Sequence, residues 1–279
     1  MNKLPLSKQA QIIQLLCEGC SLRATSRISD TAFNSVKQLL IDVGTACQIF
    51  HDETVRGIRA RRVQCDEIWS FVYSKQKNTP CGLQDVAGDK WVYVGIDAET
   101  KLVIDWLVGD RDAQTANAFM QGLASRLANQ VQLTTDGFRP YLDAVENAFE
   151  GRIDFAQLVK IYGTSTRNGV TDNRQQYIGA DKNRICGRPN PRYITTSHIE
   201  RQNLTMRMHM RRFTRKTNAF SKKLENHKHS VAIHFVYYNF VRIHKTLRVT
   251  PAMEAGLSNR LWEVEDLVLL TNQLNRISN

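Results

Sequence analysis

No apolar run in the 279 residues approaches the ~18 needed for a membrane span. The opening stretch, MNKLPLSKQA, lacks the apolar region of a secretory signal, so a cytoplasmic protein without a membrane partner is expected. Cysteine is scarce: six, irregularly spaced in a chain this long, make no disulfide framework and read as reduced thiols. Proline is equally sparse at six, and neither an internal repeat nor a low-complexity tract is present. With 42% hydrophobic and 23% charged residues, the disordered, collagen-like and mucin-like classes are excluded. The length allows one larger α/β domain with an appendage, or two modest domains.

Acidic residues are nearly missing from one stretch. Residues 201–250 hold twelve Lys and Arg against a single acid, Glu225, which accounts for the whole net charge of +11. His209, His227, His229, His234 and His244 fall in the same window, so it is expected to become more positive below pH 7. A solvated basic face is the plain alternative, but charge this lopsided points to a phosphate backbone.

The first 58 residues read as a helical unit. Ile12, Ile13, Leu15 and Leu16 carry helical spacing up to a break at Cys17–Cys20, and Ser21 is placed to N-cap a second helix over Leu22–Ile28. After a turn at Ser29-Asp30, a third helix is predicted from Ala32 to Val43, ended by Gly44, with Val36, Leu39, Leu40 and Val43 inward. This is helix-turn-helix spacing, with Asp30 in the left-handed turn position and Phe33, Asn34, Lys37 and Gln38 facing DNA. A three-helix packing unit without a ligand remains the alternative. Cys17, Cys20, Cys47 and His51 form a candidate zinc set, with buried thiols the default.

From residue 59 the period changes. Strands are predicted over 62–73, 90–96 and 102–108, the last two joined by a turn at Asp97–Thr100. A helix N-capped by Asp112, a buried strand over 131–136, a helix from Tyr141 to Phe149 and a further apolar stretch over 153–162 follow. Residues 164–193 lack periodicity and read as a loop or insertion. Helices are predicted over 196–244, broken near Asn218, and one amphipathic helix lies in the tail around Leu261, Val264, Leu267 and Val268. The fold class is α/β, a mixed sheet flanked by helices, behind an all-α N-terminal unit.

Asp66 lies in the first strand, Asp136 ends the fourth, and Glu200 starts the basic helical region. If the first and fourth strands are neighbours, the aspartates converge, and a crossing helix delivers Glu200. Three carboxylates suit hard divalent cations, and a pair of such ions stabilises both oxygens of an in-line phosphoryl displacement. Taken singly, Asp66 is also readable as a solvated strand position and Asp136 as a turn former. Asp97 and Asp112 are assigned to a turn and an N-cap and left out. Asn203 and Arg207, at i+3 and i+7 from Glu200, share its helix face.

On these residues the chain resembles a bacterial insertion-sequence transposase with a DDE core, most closely the insertion-sequence-one type. The matching stretches are Gln64–Phe71, Trp106–Asp112, Leu133–Gly137, His198–Leu204, Met210–Arg215, Tyr237–Leu247 and Thr250–Ala252. The resemblance implies a retroviral-integrase-like (RNase H-like) core over 59–250, a helix-turn-helix domain over 1–58 that reads terminal inverted repeats, and a helical tail over 251–279. It implies Asp66, Asp136 and Glu200 as the catalytic, metal-binding triad, with two Mg²⁺ ions, or Mn²⁺ in their place. The expected partner is double-stranded DNA, both element ends and target, bound by a homodimer or higher multimer at the nucleoid. The DNA-contacting set then takes in Asn203, Arg207, Arg211, Arg212, Arg215, Lys216, Arg242, His244 and Lys245, with His244 and Arg242 at the active-site edge. A repressor with an inactive core, and a nuclease without strand transfer, are the competing readings.

Overall fold

The computed structural model describes residues 4–167, 170–214 and 216–277. Three helices come first: α1 (Leu6–Cys17), α2 (Leu22–Ile28) and α3 (Phe33–Thr54). The Ser21 side chain accepts a hydrogen bond from the Ala24 N–H, the expected N-cap, and Asp30 takes φ 46° in the turn between α2 and α3. Gly44 does not end α3. The helix runs ten residues past it, because Gly44 is where α7 (Leu224–Val236) crosses: a Cβ there would lie 2.4 Å from the His229 Cβ. The glycine serves close helix packing rather than termination.

A six-stranded sheet follows, in the order β3-β2-β1-β4-β5-β6. Its strands are β1 (Arg62–Val72), β2 (Gly88–Asp97), β3 (Val103–Gly109), β4 (Gln132–Asp136), β5 (Asp154–Arg167) and β6 (Val170–Cys186). β1, β2 and β3 are antiparallel in turn, whereas β4 pairs parallel to both β1 and β5. That is the RNase H-like arrangement expected from the sequence, with an added antiparallel edge strand. Asp97 accepts from the Glu99 and Thr100 N–H groups in the β2–β3 turn, and Asp112 caps α4 (Ala113–Arg126) by accepting from the Thr115 N–H, so both have the local roles assigned to them.

The predicted loop over 164–193 is instead largely β-structure. β5 and β6 pair through most of their length as an antiparallel ribbon, whose tip, residues 168–169, lies outside the described residues. β5 is buried at its start, at Phe155–Gln157, but Ile161, Tyr162, Tyr177, Ile178 and Ile185 are exposed, so no buried face runs along the ribbon to impose the alternation that would have marked the strands.

α4 and α5 (Tyr141–Phe149) pack on each other, with α4 against β2 and β3, while α6 (Ser197–His209) lies on β1 and β2. The basic region breaks around Asn218 as expected, over a wide gap: α6 is C-capped at Met210, and α7 resumes at Leu224. In the segment after α7, Asn239 accepts from the Val103 N–H and donates to the Val103 carbonyl, closing the exposed edge of β3 with two side-chain bonds. The short α8 (Pro251–Glu254) leads to α9 (Val264–Ile277), which packs on α1 and α3. Leu261 stands before α9 and is exposed, while Val264, Leu267 and Val268 are buried as expected. The apolar core is continuous from α1 and α3 through the sheet to α9. Among the described residues, no helix is long and apolar enough to cross a membrane.

Candidate active site

The last register pairs of β1 with β4 end at Gln64 opposite Thr134, so Asp66 and Asp136, two residues on, stand side by side where the strands part. Asp66 faces α6. Its Oδ1 accepts from the Glu67 N–H at 2.8 Å, and its Oδ2 accepts from Asn203 Nδ2 at 2.9 Å. Asp136 folds back on its own turn, accepting from the Phe138 N–H at 2.9 Å. Glu200 is delivered by the first turn of α6, which is pinned to β1 by Gln64, whose buried Oε1 accepts from the His198 and Ile199 N–H groups. Lys160 Nζ reaches Glu200 Oε1 at 2.7 Å, and the Thr196 hydroxyl donates to the same oxygen. Asp66, Asp136 and Glu200 all line one cleft of about 450 Å³, with Arg111, Phe138 and Lys160 among its walls.

The acidic group gathered closely enough to share a metal ion is a different three. Ligand oxygens of Asp66, Glu67 and Asp136 lie within 4.8 Å of one another, while the Glu200 carboxylate is turned to Lys160 and Thr196. Glu67 points to the opposite face of β1 from Asp66, as strand alternation requires, and its side chain is 1% exposed. Burial, then the charges of Asp136 and Glu200, push the Asp66 carboxyl up to about 6. Burial, then Asp136, push Glu67 up to about 8. Crowded carboxyls, with Asp66 and Glu67 raised despite Arg111 and Lys160, form an all-oxygen donor set that fits a hard divalent cation.

Residues 173–242 match the family model of the IS1 transposase. Over that stretch the resemblance read from the motifs is borne out. It runs from β6 through Glu200 and the basic segment to Arg242. Among solved structures, the crystal structure of the Mos1 strand transfer complex is similar at 15% sequence identity and a TM-score of 0.25, over 56% of this chain and 59% of that one. Among curated proteins, none matches.

Within the matched stretch, the DNA-contacting set divides. Arg211 and Lys216 are exposed, as is Lys245 beyond the stretch, while Arg207 is half-buried. Arg212 does not face solvent as expected: its Nη1 donates to Ser221 Oγ and the Asn226 carbonyl, and burial lowers its pKa to about 10. Asn203 is only 4% exposed and is bonded to Asp66, so it orients a carboxylate instead of meeting DNA. Arg242 donates to His209, and neither Arg242 nor His244 lines the cleft. His244 sits among Lys101, Arg242 and Arg201, which with burial lower its pKa. Arg215 lies outside the described residues. The expectation that the histidines add charge below pH 7 fails as well. Burial lowers His227 and His234 to about 3, and His209 and His229 are also shifted down.

In the N-terminal unit, Phe33, Asn34 and Gln38 are exposed on the first turns of α3 and Lys37 is half-buried; Gln38 donates to Asp42. The candidate zinc set is not gathered. Cys17 and Cys47 are buried thiols whose pKa values burial raises, and His51 is directed to the Val103 carbonyl and packs on Trp106.

Four residues had no role assigned from the sequence: Arg111 and Lys160, which line the cleft, and Gln64 and Glu67, which bond to the parts that carry its carboxylates. Three lie inside or beside quoted motifs, Gln64-Cys65-Asp66-Glu67 and Asp110-Arg111-Asp112. The available signal was proximity to Asp66 in the chain, and only the sheet shows that Arg111 arrives there from β3.

Proposed function

We propose that the protein is a DNA transposase of the DDE type that cleaves a phosphodiester at each element end and joins the freed 3′-hydroxyl to target DNA. The observation behind this reading is the cleft onto which Asp66, Asp136 and Glu200 all open, in a chain that also exposes Arg211, Lys216 and Lys245. Asp66, Asp136 and Glu200 would hold two Mg²⁺ ions, or Mn²⁺ in their place. Such ions supply Lewis-acid stabilisation of the attacking and leaving oxygens of an in-line displacement. The chain's own contribution is placement. Gln64 fixes the start of α6 and Asn203 fixes the Asp66 carboxylate, so the donor set is preorganised by buried side chains rather than by loops. Phe33, Asn34, Lys37 and Gln38 in the helix-turn-helix domain (1–58) would read the inverted repeats, the catalytic domain (59–250) would carry the reaction, and the tail (251–279) would complete the core. Assembly of two or more copies on paired ends follows from the need to process both.

The test is a labelled duplex carrying the repeats that flank the gene, incubated with Mg²⁺ or EDTA and resolved on a denaturing gel. Metal-dependent nicking at the repeat boundary together with a strand-transfer product is expected. Nicking without joining would mean a nuclease, and specific binding without either would mean a repressor.

DNA affinity should also fall steeply with salt, by a slope of about 0.9 per phosphate neutralised. Arg211→Ala and Lys216→Ala should each lower that slope by about one, measured by anisotropy between 50 and 300 mM salt. Arg212→Ala should leave the slope and lower the melting temperature, because its hydrogen bonds are internal.

A further inference from the structure

Arg111 follows β3 in the stretch Gly109-Asp110-Arg111-Asp112 and stands on the cleft wall facing Lys160. Its guanidinium is flanked by two rings, with the carbon 4.1 Å from the Phe138 centroid and 4.9 Å from the Trp91 centroid. Its Nε donates to Glu67 Oε2 at 3.2 Å, and Nη2 lies 3.8 Å from Asp136 Oδ2. Glu67 lies on the opposite face of β1 from Asp66, which is bonded to α6, and it makes this one ion pair among the described residues. Its carboxyl is buried against the Tyr141 hydroxyl, and Arg111 is the cation that meets it there.

These contacts fix the plane of the guanidinium without using its full capacity. A guanidinium carries five N–H donors, and a planar fork held between aromatic faces retains an edge for bidentate contact with an oxyanion. The Arg111 side chain is still 36% exposed, on the cleft that holds Asp66 and Asp136. Of the other cations lining that cleft, Lys160 is a flexible point charge already paired with Glu200, and Arg139 is exposed.

We propose that Arg111 binds a non-bridging oxygen of a DNA phosphate next to the bond to be cut, and that Glu67 acts as its positioning residue and not as a third metal ligand. The proposal rests on the DNA-cleaving reading for the identity of the anion. It divides the acidic group by role: Asp66 and Asp136 face the reacting centre, and Glu67 holds the arginine that meets the substrate.

The test pairs protein variants with neutral phosphates. Duplexes carrying the flanking repeats are made with a single methylphosphonate at each of the four phosphates around the boundary. Binding is followed by anisotropy in EDTA and nicking in Mg²⁺, for the wild type, Arg111→Gln, Arg111→Lys and Glu67→Gln. One methylphosphonate position should weaken wild-type binding about tenfold and cost Arg111→Gln less than about twofold, since a charge-assisted bond is already gone. Arg111→Lys should keep the charge and lose most of the position dependence. Glu67→Gln should blunt the dependence at the same position, with nicking reduced only about tenfold, which mere loss of structure would not reproduce. Melting temperatures of all variants serve as the folding control. Equal losses for wild type and Arg111→Gln at every position would overturn the proposal. Coupling in the binding series without any wild-type nicking would leave the phosphate contact standing and sink the transposase reading instead.

Discussion

Asp66→Asn is expected to lower Mg²⁺-dependent nicking by at least about 1,000-fold, because stabilisation worth several kcal/mol depends on a ligand charge that the amide lacks. The same substitution should make the metal-free protein more stable at pH 8. The sign follows from linkage: Asp66 is raised to about 6 in the fold, so the native state holds a proton that the unfolded chain has released. Its contribution is fully present at low pH and is lost as pH rises through about 6. Removing the charge therefore raises the melting temperature at pH 8, about half as much at pH 5, and little below about pH 4, where the unfolded carboxyl is protonated too. Mg²⁺ should stabilise the wild type more at pH 8 than at pH 5 for the same reason, and the variant hardly at all. A thermal-shift series at the two pH values, with and without Mg²⁺, checks all of this beside the gel. An Asp66→Asn protein that nicks normally would remove Asp66 from the site, and one that melts lower at pH 8 would show the carboxylate to be structural.

Much of this arrangement was legible in the sequence where local rules decide the outcome. Ser21, Asp97 and Asp112 are a cap, a turn and a cap because a short oxygen-bearing side chain meets the N–H groups two or three residues on. Asp30 takes φ 46° because aspartate tolerates the left-handed turn between two helices. The convergence of Asp66 and Asp136 was legible only on the condition that the first and fourth strands are neighbours, and the parallel pairing of β1 with β4 meets it. What failed depended on partners distant in the chain. Gly44 resembles a helix stop until α7 is laid against it. β5 is buried only at its start, at Phe155–Gln157, and the exposed Ile161, Tyr162, Tyr177, Ile178 and Ile185 further along the ribbon leave no period to read. Helical spacing placed Asn203 on the face of Glu200, but Gln64 turns that face so that Asn203 meets Asp66. Charge counting assigned Arg212 to DNA and made His227 a charge gained below pH 7, and only packing shows that the half-buried Arg212 spends its bonds internally and that His227 is buried.

His227→Gln is expected to cost roughly 3 kcal/mol at pH 8, since it breaks a buried hydrogen-bond chain and strands its ends. The chain has a direction. Arg212 donates to Ser221 Oγ, leaving the Ser221 hydroxyl to donate to His227 Nδ1 at 2.9 Å. His227 Nε2 then carries the proton toward Ser70 Oγ at 3.2 Å, and Ser70 donates to the Lys90 carbonyl at 2.9 Å. Every link requires the imidazole to be neutral, because a second ring proton would confront the Ser221 donor with the Arg212 cation behind it. Burial and then the Arg212 charge accordingly lower the His227 pKa to about 3. A base lowered in the fold stabilises above its ordinary pKa of about 6.5, and that contribution is lost as pH falls toward 3. The cost of His227→Gln should therefore shrink by about 1.4 kcal/mol for each pH unit below 6.5, the most that one linked proton allows. Urea unfolding of wild type and variant at pH 8, 6, 5 and 4.5 gives the difference directly, with carboxylates common to both proteins cancelling. A penalty that stays constant over that range would mean the imidazole titrates normally and the directed chain does not form.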